Sequence, residues 1–366
     1  MGRTVPPQRK IVVDNGNAAR APAIPPYPWP LVIFLVVAVV GLFYVKWNPY
    51  YHKAMVAAAK HTLGASILSG NTPVAPVPSW EAAWGYAAAY FRAVWQAVVL
   101  GLVLGSLTEV LLPGQLLQRF FGSARLRGIA LGGAAAVPSM MCTCCVAPVA
   151  VGMRKQSVPV GAALAYFLGN PVLNPATLVF MALTLSWQLV VLRLVVGMVA
   201  VFGISFVASK LMGDEAAESF THEPTPAGTQ GNWPLRWLRS LGRLALDSLP
   251  IYVVMVLLLG AARALLFPAI NPHWGDSIWV IAGFAVAGTL FMIPTAAEIP
   301  IVQTMLSFGL STGPAAALLV TLPAVSLPSL LMIRNSFSTR VLVFVAVAVA
   351  VLGVASGLLA GQLFRL

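Results

Sequence analysis

Three cysteines lie within four positions of this sequence, at Cys142, Cys144 and Cys145. Thiolates are soft ligands that favour Cu(I), Zn(II) and trivalent metalloids. Cys142 and Cys144 are two residues apart, which suits convergence on one centre where the backbone is extended, and Cys145 can supply a third ligand. A helix N-terminus beside a thiol favours the thiolate form. The pattern predicts a site for a soft, thiophilic solute or metal ion, with packed core cysteines as the alternative.

Prolines interrupt the apolar sequence that surrounds the cysteines, at Pro138, Pro148, Pro159, Pro171 and Pro175. Proline inside a helix removes a backbone donor and clashes with the preceding turn. In lipid, such broken backbone survives only where protein or a watery cavity satisfies its polar groups. Transporters place their substrate sites at discontinuous helices of this kind, near the bilayer midplane. We therefore expect the cysteines to lie at a helix break that binds substrate.

Four further polar residues in apolar segments are candidate site residues. Ionisable groups inside a membrane are costly and usually functional. Glu298, in a second proline-rich break, is predicted to bind substrate or exchange protons, or else to bond freed backbone donors. Glu109, near a helix end, is predicted to couple protons, with a solvated interfacial carboxylate as the alternative. Asn170 and Asn174 either satisfy broken backbone or face substrate, and both interpretations stay open.

The composition identifies an integral membrane protein. The 366 residues are 59% hydrophobic and 9% charged, with a mean hydropathy of +0.87, whereas soluble domains carry roughly 25% charged residues. The apolar runs are long and unalternated, which excludes a β-barrel and predicts an all-α polytopic protein. The formal charge of +12 is spread between these runs, so we attribute it to membrane topology and not to nucleic acid. The predicted partners are the lipid bilayer and a small-molecule or metalloid substrate.

The order of polar and apolar segments predicts six regions. They are a disordered cytoplasmic tail (1–28), a first transmembrane helix (29–47), an interfacial helix and loop (48–79), membrane repeat A with the cysteine break (80–210), a cytoplasmic linker (211–235) and membrane repeat B (236–364). The first helix follows a polar tail and is predicted to be an uncleaved anchor. Its end carries Tyr44, Lys46 and Trp47, which are predicted to lie at the membrane interface.

The two repeats share a plan that indicates internal duplication. Proline, glycine and proline recur with separations of 13 and 10 residues in both halves, as Pro148, Gly161 and Pro171 and as Pro300, Gly313 and Pro323. The same order of segments surrounds each set. The sequence therefore predicts two halves of one architecture.

Basic residues predict that the halves are inserted in opposite directions. Lysines and arginines flank the cysteine segment on both sides (119–127 and 154–155), whereas the corresponding segment of the second half has none at either end. If basic loops face the cytoplasm, the repeat is inverted and the N-terminus is cytoplasmic. We expect seven full spans plus two re-entrant hairpins, near 128–153 and 277–308, with full spanning of these segments as the alternative.

Several catalytic signatures are absent from the sequence. There is no Gly-x4-Gly-Lys-Ser/Thr, so the chain is not expected to hydrolyse nucleotide by itself. There is also no His-Glu-x-x-His or Gly-x-Ser-x-Gly, which excludes the usual zinc proteases and serine hydrolases. No cofactor is predicted, and the chain is not expected to be an enzyme.

Two runs resemble the predicted permease family that includes the ArsP-type organoarsenical efflux permeases. They are 138–148, PSMMCTCCVAP, and 161–175, GAALAYFLGNPVLNP. Members carry a Pro-x-Cys-Ser-Cys-Gly-like break, a small-residue helix and a Pro-x-x-Asn-Pro-like turn. The match covers roughly 85–360, with Thr143 in place of serine, Cys145 in place of glycine and two extra residues before Cys142.

The resemblance implies an efflux permease of the bacterial inner membrane, with trivalent methylated or aromatic arsenicals as substrates and Cys142 and Cys144 as thiol ligands. We therefore expect a secondary transporter for a trivalent organoarsenical or a related soft metal or metalloid. Two alternatives are a membrane thiol oxidoreductase that passes electrons between a quinone and a periplasmic partner, and a permease for a sulfur-containing anion.

Overall fold

The computed structural model is built from α-helices and describes residues 29–70, 76–122, 125–211, 233–268 and 275–364. Within these ranges, seven helices are long and apolar enough to cross a membrane. They are Trp29–Lys60, Trp80–Leu111, Val160–Thr184, Trp187–Leu211, Trp233–Leu266, Thr312–Ile333 and Thr339–Leu363. The predicted all-α polytopic fold with seven spans is thereby confirmed. The predicted tail and most of the predicted linker lie outside the described residues.

The first helix, α1 (Trp29–Lys60), is longer than predicted. The sequence predicts an end near residue 47 and a separate interfacial helix after it. The structure instead continues through a π-helical segment, Phe43–Trp47, into Asn48–Lys60. α1 ends where His61 adopts a left-handed conformation with φ of 51°. Lys46, predicted at the interface, is therefore inside the helix, and its side chain is buried.

The first half of the molecule contributes helices α2 to α8. They are α2 (Trp80–Leu111), α3 (Gly114–Phe121), α4 (Arg125–Ala136), α5 (Thr143–Lys155), α6 (Val160–Val172), α7 (Pro175–Thr184) and α8 (Trp187–Leu211). A 3-10 turn, Val137–Ser139, and an extended stretch separate α4 from α5. We call 125–155 hairpin A and residues 137–142 its tip. A second break separates α6 from α7.

The second half contributes helices α9 to α14, in the same order except that α3 has no counterpart among the described residues. They are α9 (Trp233–Leu266), α10 (Ile278–Leu290), α11 (Glu298–Ser307), α12 (Thr312–Ala324), α13 (Leu327–Ile333) and α14 (Thr339–Leu363). We call 278–307 hairpin B and residues 291–297 its tip. α12 begins and ends 152 residues after α6, and α13 begins 152 residues after α7. This correspondence supports the predicted duplication.

Both legs of hairpin A pack against α6. Gly132 of α4 lies against Ala162, and Ala136 lies against Gly169, so α4 runs parallel to α6. α5 runs the other way, because only four residues (156–159) separate its end at Lys155 from the start of α6. The outer ends of the hairpin therefore lie at one end of the bundle, and its tip lies level with the α6–α7 break. Its depth in a bilayer, and hence the re-entrant assignment, stays a prediction.

Hairpin B repeats this arrangement against α12. Gly313 at the start of α12 faces Ile281 of α10, and Thr321 near its end faces Gly288. α10 is therefore parallel to α12, as α4 is to α6. The tips of both hairpins and the breaks after α6 and α12 meet at the centre of the molecule, where they line one cavity.

Candidate functional site

The three cysteines form a buried cluster at the start of α5. Their side chains are 4%, 1% and 0% exposed for Cys142, Cys144 and Cys145. The Sγ of Cys142 lies 2.9 Å from that of Cys145 and 3.6 Å from that of Cys144, and all three are free thiols. The structure thus brings together the three residues that the sequence predicts as soft ligands.

The local backbone explains why the cysteines converge. Met140 has a left-handed φ of 49°, and Cys142 is extended with φ −79° and ψ 168°. The chain therefore reverses direction before α5 begins. The Cys142 carbonyl accepts hydrogen bonds from the backbone N–H groups of Cys145 and Val146, each at 3.1 Å. Cys142 is thus the residue that precedes the first turn of α5, and the other two cysteines lie in that turn.

A glycine of α2 allows this turn to approach a neighbouring helix closely. A Cβ atom on Gly101 would collide with the carbonyl oxygen of Cys145, so any larger residue there would push α5 away. Small residues at such crossings let membrane helices pack with their backbones in contact. The sulfur cluster is therefore held on one side by the rigid surface of α2.

Two tyrosines extend the polar contacts of the cluster. The Tyr90 hydroxyl lies 3.1 Å from Cys144 Sγ, and the Tyr252 hydroxyl donates to Tyr90 at 3.2 Å. Both rings are fully buried. Because Tyr252 donates to it, the Tyr90 hydroxyl proton is free to reach the sulfur. The sequence offers no signal for this pair, since Tyr90 and Tyr252 are 162 residues apart.

Glu298 begins α11 and forms a fully buried ion pair. Arg193 Nη1 of α8 donates to Glu298 Oε1 at 2.8 Å, and both side chains are 1% exposed. Arg193 Nη2 also donates to the Pro171 carbonyl at 3.1 Å, which satisfies an acceptor of the α6–α7 break. Within the described part of the chain, Glu298 Oε2 has no hydrogen-bond partner. Arg193 lies within an apolar segment, and nothing in the surrounding sequence identifies Glu298 as its partner.

Cys142 and Glu298 line one narrow cavity of about 10 Å³, roughly the space that a single water molecule needs. The other lining residues come from both tips and both breaks, namely Thr143, Pro171, Ile293, Pro294, Thr295, Ala296, Leu322 and Pro323. The duplicated fold thus brings Glu298 opposite the cysteine-bearing tip. Cys144 and Cys145 are not among the lining residues. The Sγ of Cys144 lies against the Tyr90 hydroxyl, and the Sγ of Cys145 lies against that of Cys142.

Asn170 and Asn174 bond the broken backbone. Asn170 Oδ1 accepts from the backbone N–H of Met141 at 3.2 Å, which fastens the tip of hairpin A to α6. Asn174 Oδ1 caps α7 by accepting from the N–H groups of Ala176 and Thr177. Ser326 caps α13 in the equivalent position. These contacts match the backbone-satisfying alternative, while a contact of either asparagine with substrate stays a prediction.

Glu109 lies away from the cavity, at the end of α2. Its Oε2 accepts from Lys155 Nζ at 2.8 Å and from Ser240 Oγ at 2.9 Å. The carboxylate therefore ties α2 to the outer end of hairpin A and to α9. Its side chain is 20% exposed, so water screens this pair more than the Glu298–Arg193 pair.

The sulfur geometry suits a site that uses two of the three thiols better than a closed metal centre with three sulfur ligands. A metal–sulfur distance of about 2.3 Å in tetrahedral geometry separates two sulfurs by roughly 3.8 Å. The Cys142–Cys144 distance is close to this value, whereas the Cys142–Cys145 distance is shorter. Among the described residues, no group of three or more His, Cys, Asp and Glu is arranged to hold a metal ion. A soft ion or metalloid is therefore treated below as cargo.

The spacing of Cys142 and Cys145 carries a second signal. With two residues between them they form a Cys-x-x-Cys pair at a helix start, the arrangement that lowers the barrier to thiol redox chemistry. An interpretation that begins from Cys142 and Cys144 alone misses this pair. In the structure, the contact between the sulfurs of Cys142 and Cys145 identifies it.

Comparison with known proteins agrees with this architecture. A family model described as a predicted permease matches residues 80–362. The chain is 48% identical over 346 residues to the UPF0718 protein YraQ of Escherichia coli (strain K12), covering 94% of the chain and 99% of that protein. It is 28% identical over 132 residues to the UPF0718 protein MJ0584 of Methanocaldococcus jannaschii, covering 35% and 36%. No solved structure is detectably similar. The chain therefore belongs to this predicted permease family of multi-pass membrane proteins.

Proposed function

We propose that the protein is a secondary transporter that exports a thiophilic solute through the central cavity. The solute class is a trivalent organoarsenical or a related soft metal or metalloid, and the membrane is the bacterial inner membrane with the N-terminus cytoplasmic. One observation carries the proposal: a thiol of hairpin A, Cys142, and a carboxylate of hairpin B, Glu298, line the same buried cavity. Soft thiols are the ligands that such solutes prefer.

In this proposal Cys142 binds the cargo first and Cys144 completes a two-sulfur site. Cys142 reaches the cavity, and its sulfur is already at ligand spacing from Cys144. Cys145 must move apart from Cys142 before it can act as a third ligand, because their sulfurs are in contact. Each As–S bond that forms replaces an As–O bond of the cargo, and the thiol proton leaves with that oxygen as water, so this binding step releases no net proton.

Glu298 is the group proposed to couple transport to protons. Protonation of its carboxyl group removes the charge that pairs with Arg193, and Arg193 then keeps only uncharged partners, the Pro171 carbonyl and Met181 Sδ. A buried cation that loses its partner is strongly disfavoured. Protonation would therefore favour a rearrangement of α8 against hairpin B, which changes the access to the cavity. Glu109 is proposed as a second proton site that fastens hairpin A to α2.

The second candidate function is a membrane thiol oxidoreductase. The 2.9 Å contact between Cys142 and Cys145 favours it. Two thiols would form one disulfide, releasing two protons and passing two electrons to a quinone. Alkylation of the thiols before and after addition of a quinone separates the functions, because an oxidoreductase must cycle through the disulfide and a carrier need not.

Transport into everted membrane vesicles tests the proposed function. We expect vesicles with the wild-type protein to accumulate phenylarsine oxide. Cys142→Ser and Cys144→Ser should each lower the rate at least about tenfold, since each removes one of the two sulfur ligands of the soft atom. Thr184→Ser, at the end of α7 and outside the cavity lining, is the control and should leave the rate unchanged. Undiminished accumulation in both cysteine variants would remove the cluster from the mechanism.

A further inference from the structure

Lys46 is a buried basic residue next to the cavity. It lies in the π-helical segment of α1, and its side chain is 4% exposed. Its Nζ donates to the Tyr50 hydroxyl at 3.2 Å and to Thr295 Oγ1 at 3.4 Å. Thr295 belongs to the tip of hairpin B and lines the cavity. The amino group therefore lies directly behind the cavity wall.

The π-helical segment brings α1 into contact with both hairpins. Lys46 bonds the tip of hairpin B, and the next residue, Trp47, donates from Nε1 to the Pro138 carbonyl in the tip of hairpin A at 2.8 Å. Segments of π-helix are rare and frequently occur at functional sites. α1 lies outside the residues that the family model matches. It is therefore an element added to the permease core that touches the site at its centre.

Lys46 has no acidic partner in the described structure. The two ion pairs found there join Lys155 to Glu109 and Arg193 to Glu298. Both hydrogen-bond partners of Lys46 are neutral hydroxyls, and an ammonium group has three donors, so one remains unused. A buried charge is costly unless it is paired. The missing partner is therefore an anion.

The surroundings of Lys46 favour negative charge. The helices α5 and α11 both begin at the cavity, with Thr143 and Glu298 as their first residues. Helix N-termini carry partial positive charge and bind anions. Glu298, the acidic residue among those that line the cavity, pairs with Arg193 through Oε1, and its Oε2 has no partner among the described residues. The other ionisable groups that act on Lys46 are Tyr50 and the thiols of Cys142 and Cys145, and none of these groups forms an ion pair with Lys46 in the described structure.

We infer that Lys46 is a cargo-binding residue, and that the transporter takes thiophilic solutes that carry an anionic group near the soft atom. The inference rests on the proposed function and specifies its cargo. Cys142 and Cys144 bind the soft atom, while Lys46, after exchanging its bond to Thr295, donates to a carboxylate or similar oxyanion. A neutral solute with the same soft atom uses only the thiols.

Two arsenicals that differ in one carboxylate test the inference. Phenylarsine oxide is neutral, and its 4-carboxy derivative is an anion at neutral pH. Calorimetry of the purified full-length protein should show the wild type binding the carboxylated probe about tenfold more tightly than the neutral one, the increment expected of one hydrogen bond between charged groups. Lys46→Gln should abolish this preference and leave the neutral probe within twofold of wild type. Lys46→Arg should keep the preference.

Lys53→Gln is the matched control, because Lys53 lies on the same helix and is exposed. It should change neither affinity. Equal affinity of the wild type for both probes would overturn the inference. A Lys46→Gln variant that weakens the binding of both probes equally would also overturn it. If the wild type binds neither probe, the proposed function fails and the inference falls with it. If the affinity for both probes depends on Cys142 and Cys144 but is unchanged by substitution of Lys46, the proposed function stands and only the inference about Lys46 is wrong.

Discussion

At the scale of single residues, the site combines two buried charges with a cluster of thiols. The Glu298–Arg193 pair is fully removed from water, and Arg193 also satisfies the backbone of the α6–α7 break. Breaking a buried pair by removing one partner is far more costly than removing both, since the remaining charge is left uncompensated. Comparing the stability of a variant that lacks one partner with that of a variant that lacks both therefore separates the contribution of the charges to stability from that of packing.

Arg193→Met should therefore destabilise the protein by about 3 kcal/mol, because it leaves Glu298 charged and unpaired. The double variant Arg193→Met with Glu298→Met should recover most of that loss. Thermal unfolding of the detergent-purified proteins, followed by circular dichroism, measures both effects. A double variant that is less stable than Arg193→Met alone would show that the pair does not act as a unit.

The sequence predicts the thiol site and Glu298 because both lie in locally recognisable proline-rich breaks. It cannot predict the partner of Glu298, since Arg193 is 105 residues away and reads locally as a charge within a span. Lys46 is a similar case. Next to Tyr44 and Trp47 it has the pattern of an interfacial anchor, and only the contacts of α1 with the two tips bury it.

At the scale of helices, close packing of α2 on α5 holds the cysteine turn in place. The carbonyl of Cys145 occupies the space that a side chain at Gly101 would need, and the next turn repeats the contact between Gly105 and Pro148. These glycines are therefore not interchangeable with alanine, although alanine is the better helix former. The position of the sulfur cluster depends on that contact.

Gly101→Ala should destabilise the protein by about 1–3 kcal/mol, since the added methyl group collides with backbone that cannot rotate away. Gly85→Ala is the control on the same helix, because a Cβ there meets nothing within 4 Å. It should be neutral or stabilising by up to about 1 kcal/mol. The unfolding midpoints of the Gly101→Ala and Gly85→Ala variants, each compared with that of the wild type, test this prediction. Equal shifts of the two midpoints would argue against the tight contact between α2 and α5.

At the scale of the whole molecule, two copies of one architecture place their broken helices face to face. The 152-residue offset between α6 and α12 holds at both helix ends. The positions of prolines and glycines predict this duplication because proline causes helix breaks and glycine allows close helix contacts wherever they occur. No local pattern predicts the continuation of α1 to Lys60, since its polar second part has the composition of an interfacial segment.

If the two halves are inserted in opposite directions, as the positions of the basic residues predict, both ends of hairpin A face the cytoplasm. In a cysteine-free background, Arg127→Cys and Gln156→Cys should both react with a membrane-impermeant maleimide in everted vesicles and be protected in intact cells. A control cysteine at Ser311, which follows hairpin B, should show the opposite pattern. Labelling of 127 and 156 from opposite sides would mean that the segment spans the membrane fully.

The central claim is that soft cargo is held by sulfur at the tip of hairpin A. Arsenic K-edge absorption spectroscopy of the purified protein with bound phenylarsine oxide counts the sulfur neighbours of the arsenic atom. The account predicts two sulfur ligands in the wild type and one in Cys142→Ser. An arsenic atom without sulfur neighbours, or a sulfur count unchanged by substitution of Cys142, would contradict it.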